Sequence, residues 1–232
     1  MSAQPGSYRF QSGDNPLLSD SASDDWHELI EAVGPASLLL IIDDRMSTKL
    51  KHRLTPEDIL QEALLHAWRD RANCRWEGLR SFRSWLLTII DRRIQYAAAY
   101  ESAQKRGGGR PAAALTMVEP SGSQGTELSQ FAGPVASTTP SRAAIVREEA
   151  AAIREALDSL PPELREVLWL RLFEQMTLEQ IAQRLGIGEA AVRHRVRKGS
   201  ELYRRCLAAA FSSRSLAPPR KNAPEAAGDS SP

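Results

Sequence analysis

The residues with the clearest potential for chemistry lie near the C-terminal end of the folded part, where positive charge is concentrated. Between Arg193 and Arg205 there is one acid, Glu201, against six basic residues: Arg193, Arg195, Arg197, Lys198, Arg204 and Arg205. If this stretch is helical, Arg193, His194 and Arg197 project together, at i, i+1 and i+4. Arginine can bind guanine edges through two hydrogen bonds, and lysine or more distal arginines can hold phosphates. Such a face suits the major groove of DNA.

The segment before this helix predicts how the helix is held. Thr177 can cap a short helix, and Gln180 stands at the reciprocal capping-box position. Gly186 follows, where a left-handed backbone is needed and glycine adopts it at low cost. Small or apolar residues are expected to face the core or plug the turn: Ile181, Ala182, Leu185, Ile187, Ala191, Val192 and Val196. We expect a helix-turn-helix, with a second helix over residues 189 to about 208, rather than a hairpin with a merely solvated basic face.

Two further helices are predicted ahead of this motif. The first ends at Leu160, where Pro161 and Pro162 interrupt it, and Pro162 can open the next. The apolar residues of the first helix are Ile145, Ile153, Ala156 and Leu157. Those of the second are Leu164, Val167, Leu168, Leu170 and Leu172. Both sets are expected to face a core.

The N-terminal half predicts four more helices. Asp24 and Asp25 begin the first, Gly34 and Pro35 end it, and the second covers residues 36 to about 50. The third has a cap, a favourable first residue and a capping-box acid, which are Thr55, Pro56 and Asp58, and its apolar stripe is Leu60, Leu64 and Trp68. The fourth starts near Ser81. Its core face is expected to comprise Phe82, Trp85, Leu86, Ile89 and Ile90, and Arg83, Arg92 and Arg93 lie off this face.

Composition agrees with an all-α chain of two small helical domains. Aromatic residues are 6% of the 232 residues, and Ala, Leu, Arg and Glu are abundant. Three stretches are too polar or too rich in Gly, Ser, Thr, Ala and Pro to bury a core. We therefore expect a disordered N-terminus (1–22), a helical domain (23–104), a flexible linker (105–140), a helix-turn-helix domain (141–211) and a disordered tail (212–232).

Several functional classes find no support in the sequence. Neither Cys74 nor Cys206 has metal-ligand spacing around it, so reduced thiols in a cytoplasmic protein are expected, with no metal and no cofactor. The strongly apolar run of residues 38–42 is far too short to span a membrane, and no membrane insertion is expected. No nucleophile–base pair and no phosphate-binding glycine loop is present, so an enzyme is not expected.

Two groups of motifs give the chain a resemblance to a known family. The C-terminal group comprises residues 156–162, 165–167, 179–182, 185–186 and 192–196, with Leu-Pro-Pro ahead of the helix-turn-helix. The N-terminal group comprises residues 56–63, 67–69 and 82–89. In this order and spacing they resemble domains four and two of an extracytoplasmic-function (ECF) sigma factor of the sigma-70 family.

The resemblance implies an alternative sigma factor whose partners are core RNA polymerase and promoter DNA. Asp58, Gln61 and Glu62 would form the polar face that binds core polymerase. The C-terminal motif would read the −35 element through Arg193, His194, Arg195, Arg197 and Lys198. The helix over residues 81–103 would bind and open the −10 element, with Arg92 and Arg93 on phosphates and Tyr96 stacked on an unpaired base. Trp85 is expected in the core rather than as a base wedge. An anti-sigma factor is a further partner that the sequence does not identify.

The sequence departs from the family pattern at one place that matters for function. After residues 85–90, family members usually show an Arg-Asn step and an end resembling Asp-His-Leu-Arg. Here residues 91–100 read Asp-Arg-Arg-Ile-Gln-Tyr-Ala-Ala-Ala-Tyr. An atypical −10 element or weak melting would follow. Two other readings stay open: a stand-alone helix-turn-helix regulator, which would not need the segment over residues 57–69, and a degenerate sigma factor acting as an interaction module.

Overall fold

The computed structural model describes residues 15–19, 22–104 and 140–215. Every regular element within these ranges is helical, which confirms the predicted all-α fold class. The chain divides into two compact units, residues 1–153 and residues 154–232. The predicted domain limits stay predictions, because nearly all of the proposed linker and most of both proposed termini lie outside the described residues.

Among its described residues up to Gln104, the first unit has five helices and two short 3₁₀ turns. The helices are α1 (Ala22–Val33), α2 (Pro35–Arg45), α3 (Thr48–Lys51), α4 (Pro56–Arg69) and α5 (Leu79–Gln104), and the 3₁₀ turns are Pro16–Leu18 and Arg71–Asn73. A further helix, α6 (Pro140–Asp158), contains the boundary between the units. The chain can turn sharply between α1 and α2 because Gly34 has φ +84°, a conformation that other residues rarely adopt.

The core of the first unit is apolar and partly aromatic. The predicted core residues Phe82, Leu86, Ile89 and Ile90 are buried, as expected. Trp26 meets Phe82 edge to face, with ring centroids 5.8 Å apart, and meets Trp68 in the same way at 5.4 Å. Edge-to-face geometry aligns the positive ring edge with the negative ring face, so these pairs stabilise the packing beyond their buried area.

Two predictions for the helices of the first unit are wrong. The helix expected over residues 36–50 breaks at Met46, which is extended, and α3 starts anew because the side chain of Ser47 accepts a hydrogen bond from Leu50 N at 3.3 Å. The stripe expected on α4 is rotated, so that Leu64 and Trp68 are only half-buried. The fully buried or nearly buried positions are Ile59, Leu60, Ala63 and Ala67.

Two residues that were expected in solvent are buried. Arg83 is 6% exposed, and its Nη2 donates to Ser37 Oγ at 3.5 Å, so it belongs to the packing between α2 and α5. Leu17 lies in the segment that composition assigns to a disordered N-terminus, yet it is fully buried in a 3₁₀ turn capped by Asn15. The segment is also tied to the unit by hydrogen bonds from Asn15 Nδ2 to Cys74 O and from Ser19 Oγ to Asp25 Oδ2.

In the second unit, three helices follow α6 over the part described, which ends at residue 215. They are α7 (Pro162–Leu168), α8 (Leu178–Leu185) and α9 (Glu189–Ser215), and a π-helical turn, Trp169–Phe173, extends α7. In this turn Glu174 N donates to Trp169 O, five residues back. The wider turn changes the facing of the side chains, so Leu172, expected in the core, is 42% exposed and Phe173 is buried instead.

Two smaller corrections concern α6 and α9. Ile145 was expected to be inward but is 45% exposed, and its neighbour Val146 is buried. A shift of one residue turns a helical stripe by about 100°. Ala191 is also exposed, although Val192 beside it is fully buried as expected. Across the part of the chain that is described, the helices are all too short or too polar to span a bilayer.

Candidate nucleic-acid interface

The capping box at the start of α8 and the left-handed glycine at its end both form as the sequence predicts. Thr177 Oγ1 accepts from Gln180 N at 3.2 Å, and the side chain of Gln180 accepts from Thr177 N at 2.8 Å. This reciprocal pair satisfies backbone donors that a helix start leaves open. At the other end Gly186 has φ 64° and ψ 33°, the left-handed conformation that turns the chain toward α9.

An apolar cluster fixes the angle between α8 and α9. Its fully or nearly buried members are Val167, Leu170, Ile181, Ala182 and Val192. Half-buried residues pack around them: Met176, Leu178, Leu185, Ile187 and Val196. The cluster draws side chains from α7, the π-helical turn, α8 and α9, so the second helix of the motif is held by long-range packing as well as by the turn.

Gly199 is a structural residue that the motif analysis missed. A Cβ atom there would lie 3.1 Å from Leu168 Cγ and Cδ1, and 3.5 Å from Leu164 Cβ. The missing side chain therefore lets α9 approach α7 closely. The available signal was an isolated glycine inside a strongly helical segment, where glycine otherwise costs about 1 kcal/mol relative to alanine.

The face of α9 opposite this contact is basic and exposed. With about 100° per residue, it carries two rows of side chains. One row is Arg193, Arg197 and Arg204, and the other is His194, Lys198 and Arg205. All six are exposed, whereas Arg195 is half-buried and lies off both rows.

The basic residues in the N-terminal half of this face make no polar contact with other described residues. Among the residues that the structure describes, no ion pair or side-chain hydrogen bond involves Arg193, His194, Arg197 or Lys198. Arg204 differs, because its Nε donates to Ser200 O at 3.2 Å. A rigid helix thus presents cationic donors that could bind an anionic ligand without first breaking an internal contact.

A second candidate surface lies on α5 in the first unit. Arg92 and Tyr96 are exposed, the latter by 44%. Arg93 is half-buried, with its guanidinium carbon 5.5 Å from the centre of the Tyr96 ring. Arg93 Nη1 also lies 2.8 Å from His66 Nε2 on α4. The structure therefore groups the three predicted −10 residues and adds His66, which the sequence analysis left unassigned.

Asp91 in the atypical stretch and Glu101 just after it are both engaged in ion pairs. Asp91 Oδ1 lies 2.8 Å from Arg45 Nη1, and Glu101 Oε1 lies 3.1 Å from Arg53 Nη1. Both contacts link α5 to the segment that includes α2 and the end of α3. Their charges are locally compensated, which reduces the repulsion that a nearby phosphate would meet.

The predicted polar face of α4 is exposed at Asp58, Gln61 and Glu62. Asp58 also has a structural task, because its Oδ2 accepts from Thr55 N at 2.8 Å and completes the capping box of α4. Its neighbour Glu57 pairs with Arg147 at 2.5 Å. Trp85 is half-buried with its ring 5.9 Å from that of Phe82, which agrees better with core packing than with a base wedge.

Comparisons with known families match both units. Sigma-70 region 2 matches residues 45–103, and Sigma-70 region 4 matches residues 150–201. The chain is 27% identical over 154 residues to the ECF RNA polymerase sigma factor SigK of Mycolicibacterium vanbaalenii. The aligned residues make up 66% of this chain and 69% of that protein. It is 29% identical over 148 residues to the probable RNA polymerase sigma factor RfaY of Xanthomonas campestris, covering 64% of this chain and 33% of that one.

Proposed function

The chain belongs to the sigma-70 family as an alternative sigma factor of the ECF group that directs promoter recognition, and we propose how its surfaces divide that work. In this proposal α9 reads the −35 element, α5 binds and opens the −10 element, and α4 binds core RNA polymerase. The chain would therefore act where polymerase acts, in the cytoplasm.

The observation that carries the proposal is the basic face of α9. Its leading side chains are exposed and make no ion pair or side-chain hydrogen bond with other described residues. The capping box, the Gly186 turn and the apolar cluster hold the helix that carries them. A preorganised helix loses little entropy on entering the major groove. Arg193 and Arg197 are proposed to read base edges, with His194 beside them and Lys198 on the phosphates.

The α5 surface is proposed to bind the −10 region. Arg92 and Arg93 provide phosphate contacts, and the exposed ring of Tyr96 provides a platform on which an unpaired base can stack. In this proposal the residues that depart from the family pattern still have defined roles. Asp91 holds α5 against α2 through its ion pair with Arg45, and the residues that follow Asp91 form the recognition surface.

Polymerase binding is proposed for Gln61 and Glu62, which are exposed on consecutive positions of α4. Asp58 supports this face in a different way, because its capping-box hydrogen bonds fix the start of the helix. Substitution of Asp58 would remove half of the capping box and would therefore weaken α4 itself. A test of polymerase binding should avoid Asp58. We propose that an anti-sigma factor would act by covering one of these exposed faces.

The experiment is capture of core RNA polymerase by full-length protein at physiological salt. Glu62→Arg is expected to lose core binding, because it reverses an exposed charge without touching the cap. Asp44→Arg is the matched control, since Asp44 is an exposed carboxylate on α2 of the same unit. Circular dichroism should show that both variants keep the wild-type helix content.

The outcomes separate the competing functions. The proposed polymerase face is supported if the wild type and Asp44→Arg capture core polymerase and Glu62→Arg does not. Equal binding by all three proteins moves that face elsewhere on the chain. Failure of the wild type to bind core, while it still binds specific duplex DNA, would favour a stand-alone regulator instead.

A further inference from the structure

We infer that His66 is a positioning residue, which orients Arg93 and Tyr96 for contact with the opened −10 strand. The inference rests on the proposed function of α5 and assigns a task to a residue on α4. Its basis is a three-member arrangement: His66 Nε2 lies 2.8 Å from Arg93 Nη1, and the Arg93 guanidinium carbon lies 5.5 Å from the centre of the Tyr96 ring.

The chemistry of the first contact fixes the state of the imidazole. A guanidinium has donors and no acceptor, so Arg93 must donate and His66 Nε2 must accept. The ring is then neutral, with its proton on Nδ1. A guanidinium carries five N–H groups, so an arginine that is held by one acceptor can also donate to a phosphate.

The second contact orients the tyrosine. Arg93 and Tyr96 are three residues apart on α5, which makes them neighbours on the helix surface. A cation within about 6 Å of the ring centre is attracted to the ring face. Tyr96 remains 44% exposed, so part of its ring stays accessible to a base while Arg93 lies over it.

The geometry explains why an acceptor on α4 matters to a surface on α5. Arginine has many rotamers, and ordering such a side chain costs conformational entropy. A half-buried acceptor that already fixes Arg93 removes part of this cost when DNA binds. His66 is also one turn from Glu62, so the helix proposed to bind polymerase carries the group that orders the proposed DNA contact.

The test separates positioning from folding by using three substitutions at one site. His66→Gln places an amide oxygen near the position of Nε2 and can still accept from Arg93. His66→Asn is too short to do so, and His66→Leu has no acceptor. Each full-length protein is assembled with core polymerase. The probe is a promoter fragment selected from random DNA by the wild-type holoenzyme.

Three quantities are measured for each variant: binding to core, binding to the duplex −35 segment, and permanganate reactivity of thymines in the opened strand. We expect His66→Asn and His66→Leu to lower strand opening about tenfold, the effect of losing one hydrogen bond to a charged group. His66→Gln should restore opening to within about twofold. Core binding and −35 binding should be unchanged in all three.

Arg93→Ala distinguishes failure of the inference from failure of the proposed −10 surface. Arg93→Ala should reduce opening, and adding His66→Leu should cause no further loss, because the two residues act through one contact. If Arg93→Ala is impaired while His66→Leu and His66→Asn open DNA normally, the role of His66 is refuted and the −10 surface stands. If Arg93→Ala opens DNA normally, both are refuted. Equal opening by the Asn and Gln variants would also refute positioning by Nε2.

Discussion

At the scale of single residues, the basic side chains of α9 differ in the direction in which they project from the helix, and this separates them into groups with different tasks. Arg193 and Arg197 lie on one exposed row, one turn apart, and Lys198 lies on the neighbouring row. Arg195 has the same chemistry but is half-buried and lies off both rows. Charge type alone therefore does not identify a DNA contact, whereas charge type combined with exposure does.

The first prediction concerns base reading by Arg193. Arg193→Ala should weaken binding to the selected −35 duplex by about 1–3 kcal/mol, the range for one bidentate base contact. Fluorescence anisotropy with the holoenzyme measures this loss. Binding to unrelated duplex should change much less, because phosphate contacts do not depend on sequence. Equal losses on both duplexes would assign Arg193 to phosphate rather than to base.

A second prediction concerns Cys74. It is 4% exposed, and burial raises the pKa of its thiol from 9.0 to about 11. At pH 8 a disulfide reagent should therefore modify half-exposed Cys206 and leave Cys74 intact until urea unfolds the protein. Cys206→Ser should abolish the native reaction. Rapid native labelling of Cys74 in that variant would contradict the buried position.

The same pKa shift has a consequence for stability. The unfolded thiol ionises near pH 9, whereas the folded thiol stays protonated until about pH 11. The folded state then holds more protons than the unfolded state in this window. The contribution of Cys74 to stability is thus fully present below pH 9 and is lost as the pH rises toward 11.

At the scale of elements, local capping interactions define where each helix starts and ends, and packing stabilises the residues in between. The capping boxes at Thr55 and Thr177 and the left-handed Gly186 form as the sequence predicts, because each depends on residues within a few positions. The break between α2 and α3 also has a local cause, the Ser47 cap, which the apolar run of residues 38–42 concealed.

A third prediction tests the close contact between α7 and α9. Gly199→Ala should destabilise the second unit by about 1–3 kcal/mol despite the better helix propensity of alanine, because its Cβ would lie 3.1 Å from fully buried Leu168. Urea unfolding measures the change. The control is a double-mutant cycle with Leu168→Ala, in which the cost of Gly199→Ala should shrink. Additive costs would show that the contact with Leu168 is not the cause.

At the scale of the whole molecule, the charges nearly cancel. The chain has 30 basic and 29 acidic residues, so net charge gives no general attraction to DNA. Attraction must come from the uneven distribution, above all from the exposed rows of α9. Binding should therefore be sensitive to the loss of a few exposed cations.

A fourth prediction measures this distribution directly. Lys198→Ala combined with Arg205→Ala should reduce the slope of log affinity against log salt by about 1.8, which is about 0.9 for each phosphate contact removed. Holoenzyme affinity for the selected duplex, measured between low and moderate salt, gives the slope. Lys49→Ala, at an exposed lysine of α3 in the first unit, is the control and should leave the slope unchanged. An unchanged slope in the double variant would remove both residues from the phosphate contacts.

Much of the fold could be predicted because its cues are local or periodic. The all-α class, the two capping boxes, the Gly186 turn and the core residues Phe82 and Val192 follow from neighbours in the sequence. The errors arose where a register or facing had to be chosen. A π-helical turn exposes Leu172, and a shift of one residue exposes Ile145 and buries Val146.

Residue type and short spacing were enough to predict the family, the helix-turn-helix and the basic rows. Helix packing controls which polar side chains are available. It buried Arg83 against α2, paired Asp91 with Arg45 and brought His66 to Arg93. Each of these contacts joins residues 27 or more positions apart. Spacing along one helix cannot specify a partner on another, because that choice depends on how the helices pack.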